Sequence, residues 1–175
     1  MTTAPLRRLL LLRHAKAARP SGTEDHERPL SARGRRDARA VGRLMAEADW
    51  LPDLVLCSTA RRARETWELA AGELAGLPLM RCESRLYHPP VPVLLAVVRE
   101  ASAHMSTVLV VGHNPSLRDT ILVTAGDAVD GKLQQVRDKF PTAAIALLSW
   151  HGTWQELNSH KALLTELAVA RGPRR

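Results

Sequence analysis

Three short apolar runs constrain this chain more than any other feature: RRLLLLR at 7–13, DLVLCS at 53–58 and STVLVVG at 106–112. Each is apolar without alternation, too short for a helix, and bounded by polar or turn-forming residues. That is the pattern of a strand buried on both faces, as strands of a parallel sheet are. The segments between them carry a helical period instead. Ser31 is placed as an N-cap, and Ala38, Val41, Leu44 and Met45 repeat at helical spacing in a helix that stops near Asp49. A second helix over 59–74 has its apolar face near Ala63, Trp67 and Ala70, and a short strand is expected at 77–82. Helices are expected at 91–102 and Ser116–Thr124, and a short helix or a long loop at 126–139. Runs 142–150 and 153–158 read as an antiparallel hairpin through the His151-Gly152 turn, and 160–171 as a last helix. Strands alternating with helices predict an α/β fold, a three-layer α/β/α sandwich. Its central sheet is mostly parallel with an antiparallel C-terminal hairpin, in one domain over 1–175.

The chain carries a formal net charge of +7, which admits a nucleic-acid surface, a pocket for an anionic substrate, or merely a basic exterior. Aromatics are only 3% of residues, so no stacking platform for single-stranded bases is expected. The arginines at 33, 35, 36, 39 and 43 read as a solvated helix face. Cys57 and Cys82 lie far apart without a CxxC, which fits a reduced, cytoplasmic protein better than a disulfide scaffold or a zinc site. The leucines at 9–12 are too few for a membrane span or a secretory signal and read as the first strand. No nucleic-acid or membrane partner is expected, and nothing in the sequence indicates an oligomeric state.

The three strong strands end alike. The first runs into Arg13 and His14, the second into Ser58 and then Arg61 and Arg62, the third into Gly112, His113 and Asn114. Ligands of open α/β sheets bind outside the carboxyl ends of the strands. If these strands are parallel neighbours, two histidines and at least two arginines meet in one pocket. Guanidinium forks match phosphate oxygens, imidazole supplies a nucleophile or a donor, and helix N-termini near Thr59 and Pro115 add backbone N–H groups. A phosphoryl group is the simplest ligand for such a pocket. No P-loop, DxD pair or HExxH is present, so neither magnesium-nucleotide nor zinc chemistry is indicated, and no cofactor or metal is expected.

LRHAKA, CSTARRARETW and VVGHNP resemble the three signatures of the histidine phosphatase superfamily, which includes the phosphoglycerate mutases. DHERPLSARGRRDA, GHNPSL and KFPTAAIALLSW resemble more closely its short bacterial branch, phosphohistidine phosphatases of the SixA type. The resemblance covers nearly the whole chain. It implies a phosphoglycerate mutase-like fold and a metal-independent phosphatase in which His14 is the nucleophile. It further implies that Arg13 and Arg62 hold phosphate oxygens and that His113 donates to them. Lys16 and Asn114 are candidate substrate contacts, each with a plain alternative: solvation for Lys16, turn geometry for Asn114. The mutases' glutamate has no clear counterpart; Glu83 is nearest in position, and Asp25 in the loop after the first motif is a second candidate acid. The missing acid weakens a mutase reading and suits a phosphoramidate, whose leaving imidazole needs little help. The expected substrate is therefore phosphohistidine in a protein. The alternatives are a small phosphorylated metabolite, or a non-catalytic module that binds phosphate or phosphoprotein.

Overall fold

The computed structural model describes residues 3–174; residues 1, 2 and 175 of the unit expected over 1–175 lie outside the described residues. Seven strands form one sheet: β1 (Leu6–Arg13), β2 (Leu54–Ser58), β3 (Leu79–Glu83), β4 (Thr107–Gly112), β5 (Ala125–Ala128), β6 (Ala144–His151) and β7 (Ala162–Val169). Their order is β3-β2-β4-β1-β6-β7-β5. β3, β2, β4 and β1 run parallel, β6 is antiparallel to both β1 and β7, and β5 runs parallel to β7. The four-leucine run is therefore in the middle strand.

That position explains its composition. Leu9 and Leu11 face one core and Leu10 and Leu12 the other, all four fully buried. Each such leucine contributes roughly 1.5–3 kcal/mol of burial. Helices α1 (Ala32–Glu47) and α2 (Arg61–Ala71) cover the Leu10 face through Ala38, Val41, Met45, Ala63, Trp67 and Ala70. Helices α3 (Val91–Arg99), α4 (Ser116–Thr124) and α5 (Lys132–Asp138) cover the Leu9 face. The result is the expected three-layer α/β/α sandwich. The Ser31 hydroxyl caps α1, accepting from Gly34 N–H at 3.0 Å.

The C-terminal third corrects two expectations. The antiparallel hairpin exists, but β6 pairs with 162–169, not with 153–158. Segment 153–158 is a turn whose Trp154 and Leu157, three residues apart, are both buried. The expected helix over 160–171 is strand β7. Its leucines, glutamate and alanines are good helix formers, yet Ala162 and Leu164 are buried while Leu163 and Glu166 are exposed. Tertiary pairing along β6 overrides a weak local preference. Segment 126–139 holds most of β5, a single 3₁₀ turn and α5.

Candidate active site

The carboxyl ends of β1, β4 and β2 lie side by side, as the register of the sheet requires. His14 continues the β1–β4 ladder by one bond, its N–H donating to Gly112 O at 3.0 Å. The next peptide turns away from the sheet, and Ala15 N–H donates to Thr66 Oγ1 of α2 at 3.0 Å. That turn aims the Ala15 carbonyl back at the His14 ring, 2.8 Å from Nδ1. Nδ1 therefore carries the proton and donates, and Nε2 keeps its lone pair. Arg62 Nε donates to that lone pair at 3.3 Å.

Arg62 is 2% exposed and sits in the first turn of α2. One of its terminal nitrogens donates to the Asp25 carbonyl at 2.6 Å; the other lies 3.1 Å from Asp25 Oδ2, 3.3 Å from His88 Nε2 and 3.5 Å from His113 Nδ1. His113 is buried at the end of β4, with Nε2 2.8 Å from Ser58 Oγ, and its ring centroid is 5.2 Å from that of His14. Arg13 and Asn114 both donate to Phe140 O, at 2.9 and 2.7 Å. One cavity of about 290 Å³ is lined by Arg13, His14, Lys16, Arg19, Asp25, Arg28, Arg62, His88, Asn114 and Thr142, among others.

Five cationic side chains and a single carboxylate border this cavity, and the titrations follow from that. Burial, helped by Arg62 and Arg13, lowers the His14 pKa to about 3. Burial, with His14, His88 and Arg62 beside it, lowers that of His113 to about 2. His88 is lowered too, by burial and by Arg62. All three imidazoles are neutral near pH 7. Asp25 is held well below the usual carboxylate range by the Tyr87 hydroxyl at 2.5 Å, then by Arg28 and Arg62. A neutral nucleophilic nitrogen within a ring of cations suits attack on a tetrahedral anion.

The structure thus brings Arg13, His14 and Arg62 to one cavity with Lys16, Asn114 and Asp25; His113 is buried and does not line that cavity, but packs against His14 and Arg62. Glu83 is not among them. It accepts two bonds from the Arg85 guanidinium, at 3.0 and 2.7 Å, and this pairing lowers its pKa to about 2. Arg61 points away and pairs with Glu65 at 2.8 Å. Two cavity residues receive no role from the sequence, although Arg28 lies within the DHERPLSARGRRDA segment. His88 reads as incidental, yet its ring lies 4.4 Å from that of His113. Arg28 reads as loop, yet it bonds Asp25 Oδ1 at 3.0 Å. Only the KFPT run, which supplies Phe140 and Thr142, pointed to the far wall of the pocket. Among the described residues no set of three or more His, Cys, Asp or Glu side chains is arranged to hold a metal ion.

The family model of the histidine phosphatase superfamily (branch 1) matches residues 9–86. An uncharacterized protein of Mycobacterium tuberculosis is 34% identical over 162 residues, covering 91% of this chain and 100% of that one. The structure of a candidate phosphohistidine phosphatase SixA from Nakamurella multipartitia superposes with a TM-score of 0.83 at 32% identity, covering 97% of this chain and 99% of that one. A second such candidate, from Agrobacterium tumefaciens, gives 0.74 at 31% identity, covering 83% and 92%.

Proposed function

The chain belongs to the histidine phosphatase superfamily and is a phosphatase, and from that premise we propose that it hydrolyses phosphohistidine in a protein, without a metal, through a phosphoryl group carried on His14. In the first step His14 Nε2 attacks phosphorus in line. The P–N bond to the substrate imidazole breaks, and that imidazole leaves with the electron pair and takes a proton from water. In the second step water attacks phosphorus, the P–Nε2 bond breaks, and inorganic phosphate departs. Arg13, Arg62, His113 and Lys16 hold the equatorial oxygens, with Asn114 bordering the pocket. Fixed cations around those oxygens supply the main stabilisation of the transition state.

The observation that carries this reading is the lone pair on His14 Nε2, fixed by the Nδ1 bond to Ala15 O and surrounded by guanidiniums. The choice of phosphohistidine rests on the acids. Asp25 and Glu83 are both held ionised, and His88 is neutral. A site with no protonated acid at neutral pH favours a leaving group that departs with little help. We place the enzyme in the cytoplasm on its two unpaired cysteines, and read it as one catalytic unit over 1–175 on its length and single sheet; among the described residues no helix is long and apolar enough to cross a membrane.

The test is turnover of a phosphohistidine peptide, p-nitrophenyl phosphate and a panel of phosphorylated metabolites, all in excess chelator. Hydrolysis of the first two is expected to persist in chelator and to vanish in His14→Ala. Undiminished activity in that variant removes the nucleophile assignment. A metabolite turned over far better than the peptide moves the substrate to a small molecule.

A further inference from the structure

A second basic cleft lies beside the catalytic cavity. It encloses about 330 Å³ and is lined by Arg33, Arg36 and Asp37 of α1 and by Arg171, Gly172 and Arg174 of the segment after β7. Its one carboxylate is already engaged. Asp37 is 2% exposed; its Oδ1 accepts from Gly172 N–H at 3.0 Å, and its Oδ2 lies 3.5 Å from both Arg33 and Arg171. Among the described residues Arg36 and Arg174 have no carboxylate within ion-pair distance. The cleft is also built, since Gly172 approaches α1 so closely that a Cβ there would press on Arg36 at 2.5 Å. The tail is thereby seated on the helix rather than lying over it.

The placement of these arginines is unfavourable for the helix. α1 has no acidic residue in its first turn, where the macrodipole favours one, and carries Arg33 and Arg35 there. Arg35 is answered by Glu65 of α2 at 3.7 Å, and Arg43 by Glu73 of the turn that follows α2 at 3.3 Å. Those two, like Arg33 and Arg171 on Asp37, are partnered; among the described residues Arg36 and Arg174 are not.

Two backbone links join the cleft to the catalytic cavity. Ser31, at the cap of α1, bonds the Lys16 carbonyl through both N–H and Oγ, at 2.9 and 3.0 Å. Arg171 donates to the Thr142 carbonyl at 2.9 Å. Lys16 and Thr142 line the catalytic cavity. The cleft and the catalytic cavity are thus tied through the N-terminus of α1 and through Arg171.

We propose that this cleft binds an acidic segment of a protein, which in the working enzyme is the segment flanking the phosphorylated residue; this second part rests on the phosphohistidine-protein reading. Guanidinium forks match carboxylates, and no aromatic residue lines the cleft to stack a base.

The test begins with binding, which needs no turnover. Anisotropy of a fluorescein-labelled, Asp/Glu-rich, unphosphorylated peptide is read at low salt against the intact protein and against Arg36→Glu/Arg174→Glu. Both positions lie outside the catalytic machinery and leave the Asp37 contacts in place. The Kd is expected to rise about tenfold or more in the double variant and to stay near the parent value in Arg36→Lys/Arg174→Lys, which keeps the charge. The KM for an acid-flanked phosphohistidine peptide is expected to rise in parallel, with kcat/KM for p-nitrophenyl phosphate unchanged. Peptide binding that survives the charge reversal overturns the proposal, and so does tighter binding of a single-stranded oligonucleotide of equal charge. Cleft-dependent peptide binding in an enzyme that leaves phosphohistidine intact supports the cleft and refutes the substrate reading instead.

Discussion

At the scale of single residues, the site depends on imidazoles kept neutral by their surroundings. An unfolded histidine titrates near pH 6.5, whereas burial pushes His14 to about 3 and His113 to about 2. Between those values the unfolded chain binds two protons that the folded chain does not. Stability therefore falls as pH falls through 6.5 and continues falling toward the native values. At pH 5 the pair is expected to have lost about 2–4 kcal/mol relative to pH 8. Asp25 acts in a separate window, because its depressed pKa gives stability that is present above about pH 4 and lost below it. Urea midpoints between pH 5 and 8 are expected to slope upward with pH, and the slope is expected to flatten in His14→Gln/His113→Gln. A steep slope that persists in this variant removes the two histidines as its cause. In ¹⁵N spectra at pH 6, His14 is expected as the neutral Nδ1–H tautomer, because Nδ1 faces the Ala15 carbonyl.

At the scale of elements, the pocket depends on how closely α1 approaches its neighbours. A Cβ on Gly34 would collide with the Lys16 carbonyl, and one on Gly42 with the Ala70 carbonyl of α2. Gly34→Ala and Gly42→Ala are each expected to cost about 1–3 kcal/mol by overpacking, read from urea midpoints. Their effects on activity are expected to differ. Gly34→Ala displaces the segment immediately after His14 and lowers kcat under conditions where the protein is fully folded. Gly42→Ala separates two helices away from the cavity and leaves kcat near the parent value. Equal kcat losses in the two variants argue against a direct link from α1 to the His14 loop. These contacts also mark where the sequence is legible. Leu9–Leu12, Val108–Val111 and the ends of their strands were readable because burial on both faces leaves an uninterrupted apolar run and a polar stop. β7 was not, because ALLTELAV suits a helix until β6 offers it hydrogen bonds. β5, with the sequence AGDA, carries no strand signal and forms by pairing with β7. His88, and the role of Arg28 within the DHERPLSARGRRDA segment, escaped because each sits in a loop beyond the strand ends. Only the fold brings those loops over the carboxyl ends of β1, β2 and β4.

At the scale of the molecule, the cavity has no existence apart from the sheet. Arg13 ends β1 and His14 follows it, Ser58 ends β2, His113 follows β4, and Phe140 and Thr142 precede β6. An oxyanion that binds this assembly has no comparable site on the unfolded chain, so it stabilises the whole fold by linkage. Phosphate at 100 times its Kd is expected to add about 2.7 kcal/mol. For a chain of this length that corresponds to roughly 5–10 °C in Tm. Sodium chloride at matched ionic strength screens the five cavity cations without bridging them, and is expected to give a smaller shift. Two arginines adjacent in sequence separate the causes. Arg62→Ala removes the guanidinium at the centre of the cluster and is expected to abolish the phosphate-specific shift, whereas Arg61→Ala, which loses only a pair with Glu65, is expected to keep it. If both variants keep the full shift, phosphate binds somewhere other than between these strands. The second basic cleft is then the first place to look, with Arg36→Glu/Arg174→Glu as the variant that decides it.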